Sequence, residues 1–298
     1  MKKSVIKIGS LSIPQITLGG GRPRILITAG IHGDEFSQQI VLQRLLADPP
    51  QLQRGSIVIL PRVNPLGLAE NTEVNPTDGL NINRVFPGKK NSPNISRRIA
   101  NMVFEQALQS DTVVDLHNFT DPALPQIIYV DAGKRQIRQQ SLQFCRIYGF
   151  PLVWRIRAND PGMDGSRKTL IFNAVRAGIP AIGVELPPLD GLTEKEIKTG
   201  VTGLRRVLQV MSDSGKNFQQ RPITIIDRKN VRAQQSGIFV PLLPIGVSVK
   251  PSSIIGKILT SDLQEMPVRA EFSGLLTRLR RAGPINKKQL IGNIGMKK

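Results

Sequence analysis

Cysteine is almost absent from this 298-residue sequence, in which Cys145 stands alone. A single cysteine excludes an internal disulfide and fits a reducing compartment, so a cytoplasmic location is expected. Cys145 falls in a helical stretch and reads as a core residue rather than a nucleophile. Histidine occurs twice, tryptophan once, and aromatic residues make up 4% of the chain. That leaves little material for stacking nucleic-acid bases. No apolar run reaches the length that crosses a bilayer. Met1-Lys2-Lys3 resembles the basic start of a signal peptide, but Lys7, Gly9, Ser10, Ser12, Pro14 and Gln15 break up any hydrophobic stretch behind it. Acidic residues are scarce too: 22 Asp+Glu against 41 Lys+Arg leave a formal charge of +19. Such a charge favours anionic partners or simply a solvated basic surface, and composition does not choose between them.

What is present is an alternation of strand and helix signals. Short apolar runs at Ile25–Thr28, Ile57–Leu60, Thr112–Leu116 and Ile127–Val130 read as buried strands, with another between Gly178 and Leu186. Helical patterns are expected over Asp34–Ala47, Gln136–Tyr148 and Lys168–Ala177. A further helix is expected after Ser92-Pro93, as N-cap and first helical residue, with Ile95, Ile99, Met102 and Val103 on one face. Thr193 and Glu196 have capping-box spacing ahead of the apolar stripe Ile197, Val201, Leu204 and Leu208. This alternation implies an α/β fold around a mixed, largely parallel sheet.

The polar stretch Ser212–Pro222 reads as a linker between a domain at 1–215 and a smaller all-β domain at 223–298. The second region contains a repeat: Arg232-Ala233-Gln234-Gln235-Ser236-Gly237 matches Arg269-Ala270-Glu271-Phe272-Ser273-Gly274. Gly246 then aligns with Gly283, Lys250 with Lys287, and Gly256-Lys257-Ile258 with Gly292-Asn293-Ile294. Two copies of a β unit that cannot bury its own face are expected to pack on each other.

Both histidines follow apolar strands. His32 stands in Gly30-Ile31-His32-Gly33-Asp34-Glu35, and His117 closes Asp115-Leu116-His117. The ends of strands in α/β sheets are where ligand sites form. His32 and Glu35, placed on the first turn of a helix, are expected to reach one ion, with His117 arriving from a neighbouring strand. Two imidazoles and a carboxylate suit Zn2+ with a fourth position left open. The long loop Asn64–Gly88 begins with Asn64-Pro65 and ends with Asn83-Arg84-Val85-Phe86-Pro87-Gly88. Long irregular loops in compact domains are usually functional, and an Arg beside an Asn suits a substrate carboxylate. Glu185 ends the run Ala181-Ile182-Gly183-Val184 and is a candidate general base.

These motifs, in this order, resemble the succinylglutamate desuccinylase/aspartoacylase family, a deacylase branch of the zinc carboxypeptidase fold. The resemblance implies a zinc-carboxypeptidase-like three-layer sandwich followed by a lipoyl-like barrel-sandwich domain. It implies zinc on His32, Glu35 and His117, a substrate carboxylate on Asn83 and Arg84, and Glu185 activating water. The implied reaction is hydrolysis of the amide of a small anionic N-acyl amino acid. Three positions depart from the family pattern. Glu73 stands where many members have an oxyanion-stabilising Arg, for which Arg62 is a candidate stand-in. Asn81-Ile82-Asn83-Arg84 replaces Asp-Leu-Asn-Arg, and Leu186-Pro187 replaces Leu-Gly.

Two other readings compete. A metallocarboxypeptidase would use the same zinc and carboxylate grip. A catalytically degenerate zinc-site protein would bind an anionic polymer through residues 223–298, which carry 13 Lys+Arg against 4 Asp+Glu. No nucleic-acid motif accompanies that charge. A carrier role is also disfavoured, because the turn Leu259–Pro267 between the copies has no lysine to modify. The oligomeric state is left open by the sequence.

Overall fold

The computed structural model describes residues 1–158, 165–212 and 220–297. Residues 159–164, residues 213–219 of the expected linker, and residue 298 lie outside the described residues. The first strands are β1 (Lys2–Ile8), β2 (Leu11–Gly20) and β3 (Arg24–Ala29), followed by α1 (Ser37–Ala47), β4 (Gly55–Leu60), α2 (Pro65–Glu70) and α3 (Ile95–Leu108). Then come β5 (Thr112–Asn118), β6 (Gln126–Asp131), α4 (Arg135–Tyr148), β7 (Leu152–Arg157), α5 (Leu170–Arg176), β8 (Ala181–Leu186) and α6 (Glu194–Ser212). The remainder is all β: β9 (Thr224–Arg232), β10 (Gly237–Pro241), β11 (Ser248–Val249), β12 (Ile254–Leu259), β13 (Glu265–Arg269), β14 (Gly274–Leu279), β15 (Gly283–Ile285) and β16 (Leu290–Lys297).

The expected mixed α/β fold is present. One sheet runs β1-β2-β4-β3-β5-β8-β6-β7-β9-β16-β14-β11. Its centre is largely parallel: β3 pairs parallel with β4 and β5, and β5 with β8, while β6 meets β8 antiparallel. β3, β4 and β5 are almost wholly buried and Val/Ile/Leu-rich, as parallel strands covered on both faces must be. Side chains of α3 and α5 pack into one apolar cluster, with Ile99, Val103 and Phe172. Those of α1, α4 and α6 pack into another, with Leu42, Tyr148 and Leu204. Helices therefore cover both faces of the sheet.

The repeat has a structural counterpart. Each matched hexapeptide carries one strand end into the next strand, β9 into β10 and β13 into β14. β10 pairs with β12 of its own copy and β15 of the other, while β14 pairs with β16 of its own copy and β11 of the other. β9 pairs with β16, and β12 with β13. The copies thus exchange strands and bury one shared cluster around Phe239, Ile255 and Ile294. β9 also lies parallel to β7, with Trp154 opposite Ile226, so the repeat is hydrogen-bonded directly onto the larger sheet.

Three local expectations change. The helix expected from Asp34 begins at Ser37, so His32 and Glu35 sit in the preceding turn rather than on helix α1. Ser37 is drawn elsewhere: its N–H donates to Asn118 Oδ1 at 2.8 Å and its hydroxyl to the Pro187 carbonyl at 2.8 Å. The helix expected at Ser92-Pro93 starts at Ile95, because Ser92 Oγ accepts from Asn94 N in a turn. Asp78 caps it instead, its carboxylate accepting from Ser96 N at 2.9 Å and Ser96 Oγ at 2.7 Å. The helix expected from Lys168 begins at Leu170, where Thr169 is the N-cap and accepts from Phe172 N.

Candidate metal centre

β3 and β5 are neighbours running the same way, so the residues that follow Ala29 and those that end β5 emerge on one edge of the sheet. Gly30 turns the chain out of β3 with φ +64, a conformation that glycine adopts at no steric cost. Gly33 then lies flat against α2. A Cβ there would sit 1.9 Å from the Gly67 carbonyl carbon, and Gly33 N donates to Thr72 O at 2.9 Å. The turn carrying His32 and Glu35 is clamped against the loop that follows β4.

The three expected ligands converge. One donor atom from each of His32, Glu35 and His117 lies within 4.8 Å of the others, and all three residues are buried. His32 Nδ1 faces Glu35 Oε1 at 2.6 Å, and His117 Nδ1 faces Oε2 at 2.9 Å. Each Nε2 points away to an acceptor. His117 Nε2 lies 2.9 Å from Asp115 Oδ2, and His32 Nε2 lies 3.2 Å from Asn81 Oδ1. Asn81 is oriented by donating Nδ2 to Glu73 Oε1 at 2.9 Å. Each ring thus has an acceptor at both nitrogens; with a cation between the rings and Glu35, the Nε2 acceptors would hold the protons and leave the Nδ1 lone pairs to the ion. Two imidazole nitrogens and a carboxylate turned to one point could hold a metal ion, and they are the donor types that zinc takes.

The electrostatics are those of a tightly coupled cluster of two imidazoles and two carboxylates. Burial pushes the Glu35 carboxyl up, but His32 and His117 outweigh it and hold it down at about 2. Burial likewise pushes His117 down, yet Asp115 and Glu35 raise it well above the ordinary histidine value. Asp115 is itself fixed by Thr28 Oγ1, which donates to Oδ1 at 2.6 Å. Outer-shell carboxylates of this kind typically contribute ~10–100-fold to metal affinity. Asp115→Ala is therefore expected to weaken metal binding by that factor, measured by competition with a chromogenic chelator. Unchanged affinity would remove Asp115 from the site.

The three candidate ligands open into a cavity of about 430 Å³ that Asn83, Arg84 and Glu185 also line. Glu185 stands directly opposite His117 in the β5–β8 register. Burial raises its carboxyl to about 7, against the lowering effect of His117. Asn83 is buried, with Oδ1 accepting from Leu170 N at 3.0 Å and Nδ2 3.3 Å from His117 Nε2. Arg84 reaches the cavity while donating Nη1 to the Asn83 carbonyl at 2.9 Å. All six residues singled out in the sequence thus share one cavity.

Other lining residues were not anticipated. Arg62 does not line the cavity, whereas Arg228 of β9 and Arg278 of β14 do. Arg278 donates to Asp121 Oδ2 at 2.8 Å. Arg228 lies over the ring of Trp154, with Cζ 3.2 Å from the centroid. Burial lowers the Arg228 pKa to about 9, which still leaves it charged at neutral pH. In the sequence Asp227-Arg228-Lys229 reads as an ordinary basic strand, and no motif marks it.

Residues 21–211 match the model of the succinylglutamate desuccinylase/aspartoacylase catalytic domain. The N-alpha-acetyl-L-2,4-diaminobutyric acid deacetylase of Halomonas elongata is 24% identical over 308 residues, covering 96% of this chain and 86% of that protein. A succinylglutamate desuccinylase/aspartoacylase structure from Rhodobacter sphaeroides superposes with TM-score 0.82 at 22% identity, covering 97% of this chain and 90% of the other. The product-bound ectoine utilization protein EutE (DoeB) of Ruegeria pomeroyi gives 0.83 at 19% identity, covering 99% and 93%. The chain belongs to the succinylglutamate desuccinylase/aspartoacylase family.

Proposed function

We propose that this protein is a zinc-dependent hydrolase that cleaves the amide of an N-acyl amino acid or a similar carboxylate-bearing substrate. The observation that carries the reading is the convergence of His32, Glu35 and His117 on one point with both Nδ1 atoms turned inward. Zinc held there would supply Lewis acidity, polarising the amide carbonyl and acidifying water. Glu185, one strand over from His117, takes the proton from the attacking water and delivers it to the leaving nitrogen. Its raised pKa suits that traffic, since a base near neutrality both accepts and returns a proton.

Arg84, with Asn83 behind it, holds the substrate carboxylate and fixes the amide at the zinc end of the cavity. The zinc-carboxypeptidase-like sandwich is assigned to residues 1–215 and the lipoyl-like barrel-sandwich to 223–298. The exchanged strands of the two repeat copies support the second assignment. A cytoplasmic location accords with the lone Cys145, which is buried and unpaired.

The test is metal analysis of the purified protein beside a hydrolysis screen of N-acyl amino acids and their methyl esters. About one zinc per chain is expected, with amine released faster from the free carboxylates than from the esters. Absence of bound zinc, or a zinc-loaded protein that releases no amine from any member of the screen, would overturn the reading.

A further inference from the structure

Gln126, at the start of β6, is completely buried. Its Nε2 donates to the Leu124 carbonyl at 3.3 Å, while Oε1 is buried and has no donor among the described residues. Turning the amide over does not cure this, because Oε1 would then face the Leu124 carbonyl, acceptor against acceptor. A buried acceptor without a donor is costly, so one that persists points to a donor that comes and goes.

The strand register places that donor. β6 and β8 pair antiparallel, with Ile128 opposite Gly183 and Gln126 opposite Glu185. Ile128 and Gly183 share one face of the sheet: a Cβ added to Gly183 would lie 3.2 Å from Ile128 Cβ. Alternate residues of a strand project from the same face, so Gln126 and Glu185 stand side by side on it. Opposed Cβ atoms in such pairs are ~5 Å apart, within the combined reach of two side chains of equal length. On the other side, β7 sets Leu152 opposite Gln126, which offers nothing polar. Ile128, Gly183 and Glu185 line the cavity and Gln126 does not, so a substrate held in the cavity is not what satisfies Oε1. An ionised Glu185 only accepts and leaves Oε1 bare. A protonated Glu185 carries one O–H, which Oε1 can take.

We propose that Gln126 is a positioning residue for Glu185, its Oε1 accepting the carboxyl O–H while Glu185 carries the proton between water and the leaving nitrogen. The inference rests on the hydrolase reading above. In the first step a water O–H bond breaks and a carboxyl O–H bond forms, and the new O–H rests on Oε1. In the second, rotation about the C–O bond brings the proton to the leaving nitrogen, where the carboxyl O–H breaks and an N–H forms. Gln126 itself gains and loses no proton. It holds the loaded acid in one rotamer, and a fixed acid meets the nitrogen in the geometry that transfer needs.

The test is a double-mutant cycle on the whole protein: wild type, Gln126→Met, Glu185→Gln and the double variant. Thermal unfolding midpoints are measured at alkaline pH, where Glu185 is ionised, and they need no turnover. The amide installed by Glu185→Gln is a permanent donor for Oε1. Its gain in midpoint is expected to be larger by ~2 °C in the wild-type background than on Gln126→Met, the shift of one hydrogen bond in a chain of this size. Kinetics use the N-acyl amino acid that the hydrolysis screen turns over fastest. There Gln126→Met is expected to lower kcat roughly tenfold with KM little changed, and to lower it no further when added to Glu185→Gln. Should Gln126→Met not fold, Gln126→Asn, which keeps the amide and draws it back by one methylene, takes its place in the cycle.

Additive midpoints overturn the contact, and they are the result expected if a water rather than Glu185 satisfies Oε1. Coupled midpoints with an undiminished kcat in Gln126→Met overturn its part in carrying the proton. A protein that hydrolyses nothing in the screen overturns the hydrolase reading alone, because the midpoints still decide whether Gln126 meets Glu185.

Discussion

His117→Ala is expected to abolish zinc retention and hydrolysis together. His117 is nearly fully buried, and its Nδ1 is one of two imidazole nitrogens turned towards Glu35. Alanine removes that donor and leaves a two-ligand site. It also strands Asp115, whose Oδ2 loses its partner inside the sheet. Loss of an outer-shell partner alone costs ~10–100-fold in metal affinity, so loss of a ligand costs more. His32→Ala is expected to behave alike. Cys145→Ser is the control: its thiol is buried among α4 and sheet residues, and burial raises its pKa so that no thiolate is available. Zinc per chain measured after gel filtration separates the three. Full occupancy in either histidine variant would remove the assignment of ligands.

Glu185→Gln is expected to show the opposite split, keeping zinc and losing turnover. The amide is the same size as the carboxyl and leaves the register of β8 on β5 and β6 undisturbed. It cannot carry the proton from water to the leaving nitrogen. A positioned acid or base contributes typically ~10²–10⁴-fold, and kcat is expected to fall by that factor with KM little changed. The pH profile adds a sign. The raised carboxyl must be ionised to accept a proton, so wild-type kcat/KM should fall as pH drops through that group's pKa. The variant should lose that acid limb. A fully active Glu185→Gln with an unaltered limb would make Glu185 structural.

How much of this was legible in the sequence depended on rarity and on locality. His32, Glu35 and His117 stood out because two rare histidines both followed apolar runs, and parallel pairing of β3 with β5 puts such positions on one edge. The local placement of Glu35 was misread because Ser37, a good first-turn residue, is claimed by Asn118 and Pro187 from distant segments. The β1–β2 hairpin and β7 carry no motif, and no element was expected there. Arg228 is the clearest omission. Its place in the cavity exists only because β9 lies beside β7 and sets its side chain over Trp154, a contact between residues far apart in the chain. Glu73 shows the converse. A departure noticed in the sequence turns out to orient Asn81, and through it the His32 ring.

The exchanged strands of the repeat have one more consequence. Each copy completes its sheet with a strand from the other, as two subunits do in a swapped dimer, but here the turn between β12 and β13 holds them in one chain. That turn converts a bimolecular encounter into an intramolecular one, with an effective concentration on the order of millimolar for a short connection. Cutting it would make closure of the shared core a second-order reaction. The wall that carries Arg228 and Arg278 would then form at a rate set by how much protein is present.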